Sequence, residues 1–231
     1  MSPTIFLPRE QHSHTIICLH GRDSDAAQFA SEFFESEASQ PEGQPRTLLD
    51  LFPTVKWVFP TAPLLRAERF DVENMSQWFD IWSVEDPQER LELQEDGLQN
   101  SITQILTIVR EEDLPRNKIF LAGISQGFAT AISAFLASGT PFAGLIGLCS
   151  WLPFADRVRN AHIEPLARTT PVFLGHSSDD SVVPIQNGRV LRDILRTHMQ
   201  MVEWKEYKEG GHWINEPQGV DDIVEFLKAN M

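Results

Sequence analysis

The chain has 231 residues, 42% of them hydrophobic, with 19 Lys plus Arg against 33 Asp plus Glu and a formal net charge of −14. Such an excess of negative charge excludes nucleic acid, or an anionic membrane, as a partner reached by charge alone. The length permits one large α/β domain with a sizeable core, and no apolar stretch approaches the ~18 residues of a membrane span.

His14-Thr15-Ile16-Ile17-Cys18-Leu19 reads as a strand buried on both faces, running into the polar loop His20-Gly21-Arg22-Asp23-Ser24-Asp25 and then a helix from Ala26 to Phe34. Ser36 to Pro45 is rich in turn residues and reads as an exposed loop, with one helical turn expected over Leu48–Phe52. Val55 to Phe59 is the next strand, stopped by Pro60. Residues 60–76 carry no regular pattern, and a long structureless segment in a compact domain is expected to act as a lid or substrate loop. Asp86-Pro87-Gln88-Glu89 has the cap, the first-turn proline and the third-position acid of a helix start, and Leu98, Ile102, Ile105, Leu106 and Val109 continue at helical spacing, with Gly97 as a possible bend.

Lys118 to Ile124 is an apolar strand that stops at Gly123-Ile124-Ser125-Gln126-Gly127, and a helix rich in small residues begins at once. Gly-x-Ser-x-Gly between a strand and a helix is the pattern of a nucleophile elbow, a sharp turn that lifts the serine oxygen out of the fold. The turn brings residues two before and two after the serine together, so Gly123 and Gly127 are required to be small. Strands then follow at Phe142–Cys149, Pro171–Gly175 and Met201–Tyr207, with helices opened by Pro184 and Pro217. Strands alternating with helices predict a doubly wound, mostly parallel sheet covered on both faces, in one domain over 1–231 with its core over 14–229. Cys18 and Cys149 both fall in strands, which points to reduced core thiols and a cytoplasmic protein; with neither Cys-x-x-Cys nor His-x-x-x-His present, no metal site is expected. The first residues hold no basic segment followed by an apolar core, so no secretory signal is expected.

In sheets of this kind, reacting groups gather in loops at the carboxyl ends of the strands. The loops His20–Asp25, Gly123–Gly127, His176–Asp180 and Gly210–Trp213 supply serine, then aspartate, then histidine, the triad order of α/β hydrolases. Ser125 needs a base, His212 titrates near neutrality, and a carboxylate would orient the imidazole. Asp179 and Asp180 compete for that last role, with Asp180, directly before the Ser-Val-Val-Pro turn, favoured. A loop Ser, Asp or His taken singly is structural more often than catalytic; their joint arrival in order carries the enzyme reading over a ligand-binding module built on the same scaffold. Oxyanion donors are expected from the backbone N–H groups of Gln126, at the helix start, and Arg22, beside Gly21. Expected substrate contacts are Leu65, Phe70, Trp78, Phe128 and Trp151, although an aromatic such as Trp78 is more often core than pocket wall. Arg22, Arg66 and Arg69 could together meet an anionic acyl donor, or be surface charges paired with Glu68 and Asp71.

Leu19-His20-Gly21, Phe59-Pro60-Thr61-Ala62-Pro63, Trp78-Phe79-Asp80-Ile81, Gly123-Ile124-Ser125-Gln126-Gly127, Cys149-Ser150-Trp151-Leu152-Pro153, Asp180-Ser181-Val182-Val183-Pro184 and Gly211-His212 resemble the acyl-protein thioesterase / phospholipase–carboxylesterase family over nearly the whole chain. The resemblance implies an α/β hydrolase of acyl esters or thioesters that uses no cofactor, and with no membrane-length apolar run no stable membrane insertion is expected. It implies Ser125, Asp180 and His212 as nucleophile, acid and base, with Arg22 and Gln126 as oxyanion donors. Three features depart from the family: Arg22 in place of an apolar residue, Phe128 in place of a second glycine and expected to narrow the pocket, and a longer segment over Ser31–Pro53.

Overall fold

A computed structural model describes residues 2–231. The first part of the chain forms β1 (Thr4–Phe6), β2 (His14–Leu19), α1 (Ala26–Phe33), α2 (Leu48–Leu51) and β3 (Val55–Phe59). A hairpin of β4 (Leu64–Ala67) and β5 (Val72–Ser76) follows, then α3 (Glu95–Glu111), β6 (Ile119–Ile124) and α4 (Gln126–Ser138). The last part holds β7 (Gly144–Leu148), α5 (Ala155–Arg159), β8 (Val172–Ser177), α6 (Ile185–His198), β9 (Val202–Tyr207) and α7 (Gln218–Asn230). Seven strands make one sheet in the order β1-β3-β2-β6-β7-β8-β9, parallel throughout except for β1, which pairs antiparallel with β3.

The continuous apolar strands work because successive side chains feed two cores. From β2, Ile17 and Leu19 join the face covered by α3, α4 and α6, while Ile16 and Cys18 join the face covered by α1 and α7. The parallel strands therefore end in loops along one edge, which is where the reactive residues gather. No helix among the described residues is long and apolar enough to cross a membrane.

Three expectations change. Residues 60–76 are not structureless: Leu64 pairs with Ser76 and Leu65 with Met75, and Asp71 at φ 52° helps turn the chain between the strands. Arg66, gripped by Glu68, Asp71 and Glu73, holds the hairpin's outer side, a tertiary ion cluster that hydrophobic periodicity does not report. The helix does not start at Asp86. The Asp86 carboxylate accepts the Gln88 N–H at 3.1 Å and its carbonyl that of Glu89 at 3.0 Å, but Arg90 adopts φ 50° and ends that turn. The helix then begins at Glu95 and runs straight through Gly97, where a Cβ would lie 3.0 Å from Phe79 Cα; the glycine serves close packing rather than a bend. The short edge strand β1 and helix α5 were not expected at all.

Candidate active site

Ser125 sits between β6 and α4 at φ 55°, ψ −126°, a backbone state an L-residue holds only when its surroundings enforce it. Its N–H donates to Leu148 O at 2.8 Å, and its carbonyl accepts from the Ser150 hydroxyl at 2.7 Å and the Ala129 N–H at 3.1 Å. The flanking glycines have no room for a side chain. A Cβ on Gly123 would meet Phe128 N at 2.7 Å and Gly127 C at 2.8 Å, and one on Gly127 would meet Leu19 O at 2.2 Å. The β2 loop lies against the same turn, since a Cβ on Gly21 would stand 3.7 Å from Ser125 Cβ.

That loop is held by a residue whose role sequence alone left open. His20 Nε2 accepts the Ala62 N–H at 3.1 Å, so Nδ1 carries the hydrogen and donates to Gly21 O at 2.7 Å. Burial holds this imidazole below its ordinary pKa, which keeps the tautomer neutral. The Trp78 indole N–H donates to His20 O at 2.8 Å. Gln126 uses its side chain on the same segment: its amide oxygen accepts the Trp78 N–H at 2.9 Å and its amide nitrogen donates to Phe79 O at 2.7 Å.

The acid and base meet at the ends of β8 and β9. His212 Nδ1 lies 2.8 Å from Asp180 Oδ2, while Asp180 Oδ1 accepts the Val182 and Val183 N–H groups at 2.8 and 2.9 Å. Burial alone would raise the Asp180 pKa, but hydrogen bonds from His176 and His212 outweigh it and hold the carboxyl well below the usual range. Asp179 points elsewhere, accepting the Gly211 N–H at 2.9 Å and so pinning the histidine loop. Ser125 and His212 line one cavity of about 670 Å³, within the range of small-molecule sites. No Ser125–His212 hydrogen bond forms among the described residues, and such contacts commonly tighten only in the reacting complex.

Apolar walls come from Phe29, Phe70, Val72, Met75, Val84, Ile124, Val182 and Trp213, and the polar ones include Arg22, Asp23 and Glu32. Of the five expected substrate contacts only Phe70 is among them. Trp78 is fully buried and spends its indole on the loop below the site. Phe128 is fully buried against β7, where Gly147 makes the space that the ring fills, so it does not narrow the pocket. Trp151 lies in the same core layer, and half-buried Leu65 stands outside the cavity. Nor do all three arginines converge: Arg69 shares the Phe70 ring with Arg22, at 5.8 Å from its centre, while Arg66 stands apart. Arg66 is on the hairpin's outer ion cluster, and Arg69 donates to Trp82 O at 2.9 Å. Arg22 alone lines the cavity, 3.6 Å from Asp80 and with its guanidinium 5.2 Å from the Phe70 ring centre. Phe29 and Trp213 carried no functional signal beyond neighbouring a polar loop, because cavity walls are made by tertiary approach.

Cys149, His176 and Asp180 bring possible metal-ligand atoms within 4.8 Å of one another. Burial, with the Asp180 charge beside it, pushes the Cys149 thiol up, and the thiol is directed to the carbonyls of Trp213 and Gly211. The Asp180 oxygens are already engaged, so the trio fits a hydrogen-bonded cluster better than a metal site.

Comparison with known proteins identifies the family. The Phospholipase/Carboxylesterase family model matches residues 1–231. "Acyl-protein thioesterase 1" of Gibberella zeae is 28% identical over 100% of this chain and 96% of its own length, and that of Yarrowia lipolytica 25% identical over 99% and 97%. Among solved structures, Zea mays acyl-protein thioesterase 2 superposes with a TM-score of 0.78 at 24% identity, covering 99% of this chain and 98% of that one. Arabidopsis thaliana SOBER1 gives 0.76 at 22% identity over 94% and 98%; at these identities the two structures speak for the α/β-hydrolase fold. With its family matched from end to end, the chain belongs to the phospholipase/carboxylesterase family of serine hydrolases.

Proposed function

We propose that the chain hydrolyses acyl esters and thioesters through an acyl-enzyme on Ser125, with His212 as general base and acid and Asp180 as the group that orients it. The observation that carries this reading is the opening of the Ser125 elbow and the Asp180–His212 pair into one largely apolar cavity. His212 Nε2 takes the Ser125 proton as Oγ attacks the acyl carbonyl, and the negative charge forms on the carbonyl oxygen. The N–H groups of Arg22 and Gln126 receive that charge, the Gln126 amide being occupied elsewhere and only its backbone free for the task. Collapse expels the alcohol or thiol, which leaves with the proton from His212. Water then repeats the sequence on the acyl-enzyme and returns free Ser125.

Relatives named acyl-protein thioesterases support S-acylated proteins as substrates beside small esters. The binding-module alternative is not favoured, since relatives matched along nearly the whole chain bear enzyme names. A cytoplasmic setting is supported by Cys18 and Cys149, both buried and unpaired. The test is turnover of matched oxygen esters and thioesters, from acetyl to palmitoyl, by wild type and Ser125→Ala. Ser125→Ala is expected to lose roughly 10⁴-fold or more in kcat on every substrate. Turnover that survives the substitution would refute the assignment.

A further inference from the structure

Behind Asp180 lies an imidazole with no part in the scheme above. His176, on β8, is 1% exposed. Its Nε2 is 3.2 Å from Asp180 Oδ2 and 3.0 Å from Val183 O. Two oxygen acceptors face this one nitrogen, so Nε2 carries a hydrogen that is directed to Val183 O and is within reach of Asp180 Oδ2. Asp180 Oδ2 is thereby shared between two histidines, His212 on the cavity side and His176 on the core side.

The two carboxylate oxygens are held differently. Oδ1 takes two backbone N–H groups from one turn, Val182 and Val183, and these make a pivot. Rotation about that pivot would carry Oδ2 away from His212. Among the described residues, the groups besides His212 that face the carboxylate and oppose the rotation are the His176 imidazole, 3.2 Å from Oδ2, and the neighbouring Cys149 thiol. Its own position is fixed by packing. The Trp204 ring lies 6.2 Å away at 47°, and α6 approaches so closely that a Cβ on Gly188 would stand 2.3 Å from His176 Nδ1. Cys149 lies beside His176 and Asp180 and directs its thiol to the carbonyls of Gly211 and Trp213, on either side of His212. A donor held this rigidly behind an orienting carboxylate is what a preorganised site requires.

We propose that His176 is a positioning residue: by donating Nε2–H to Asp180 Oδ2 it keeps that oxygen aimed at His212 Nδ1 through acylation and deacylation. The proposal rests on the assignment of Asp180 and His212 given above. It predicts a defect in the chemical step and none in substrate binding, because His176 is buried behind the pair and is not among the cavity-lining residues.

His176→Met and His176→Gln test it. The two replacements have similar length and volume, but only Gln can present an N–H where Nε2 stood. With an activated ester, and active sites counted by burst titration, His176→Met is expected to lose about 10–100-fold in kcat with KM changed less than about twofold. His176→Gln should recover to within a few-fold of wild type. His176→Leu replaces the Met variant if that protein does not fold. Wild-type kcat in the apolar variant, or equal losses in the apolar and Gln variants, would overturn the proposal. Ser125→Ala belongs in the same experiment. Activity surviving there removes the triad assignment and this proposal with it, whereas a dead Ser125→Ala beside a fully active His176→Met overturns the role of His176 alone.

Discussion

Two adjacent aspartates with the same side chain do different work because one backbone turn aims them apart. Asp180 faces His212 at 2.8 Å, and Asp179 takes a backbone N–H at 2.9 Å. Asp180→Asn leaves the shape but puts an amide where an imidazole N–H needs an acceptor, and loss of roughly 10³–10⁴ in kcat is expected. Asp179→Asn keeps a side-chain oxygen for Gly211, so its kcat should stay within about fivefold of wild type. Steady-state kinetics of the two variants on one ester separates the roles. Equal losses would mean that loop integrity, and not imidazole orientation, sets the rate. In the sequence, the position directly before the Ser-Val-Val-Pro turn and the family resemblance both favour Asp180; the physical reason is one of side-chain direction.

Glycines show the same division between local rule and tertiary fact at the scale of an element. In a solvated helix, Gly188→Ala would stabilise by about 0.5–1 kcal/mol through propensity. Here the new Cβ would lie 2.3 Å from His176 Nδ1, and overpacking of that kind costs about 1–3 kcal/mol. The second effect is larger, so Gly188→Ala is expected to lower stability by about 1–2 kcal/mol in urea unfolding, and a stabilised variant would contradict the packing described. Gly97 misled in the same way, as a bend on paper and a close contact with Phe79 in the fold. The Asp86 cap signal formed its local turn, yet Arg90 at φ 50° ended it. The cap sets the local turn, but how far a helix extends is decided by contacts elsewhere in the chain.

For the whole molecule, two apolar layers on one sheet supply the stability, and buried imidazoles make it depend on pH. His14, at the start of β2, is 3% exposed, and the Lys118 ammonium stands 3.2 Å from its Nε2. Burial first, and then the charge of Lys118 and the neighbouring His12, lower its pKa from 6.5 to about 4. A basic group depressed in the folded state leaves the unfolded chain binding the extra proton. Its contribution is therefore fully present above pH ~6.5 and is lost as pH falls towards ~4, at up to about 1.4 kcal/mol per pH unit. Urea midpoints measured between those limits should fall in wild type and fall less steeply in His14→Gln. Parallel curves would show that His14 is not the group responsible.

The sheet-forming runs, the elbow at Ser125 and the order in which serine, acid and base reach the strand ends are all legible in the amino-acid sequence. These are readable because their causes are local: strands buried on both faces are apolar throughout, and a turn as tight as Gly123–Gly127 admits only glycine at its flanks. Tertiary structure decided which aspartate meets His212, that Trp78 and Phe128 belong to the core while Phe29 and Trp213 wall the cavity, and that residues 60–76 form a hairpin. It also placed His176 behind Asp180. Those outcomes depend on which surfaces meet across the fold: hydrophobic periodicity shows that a face is buried but not which distant residues it meets.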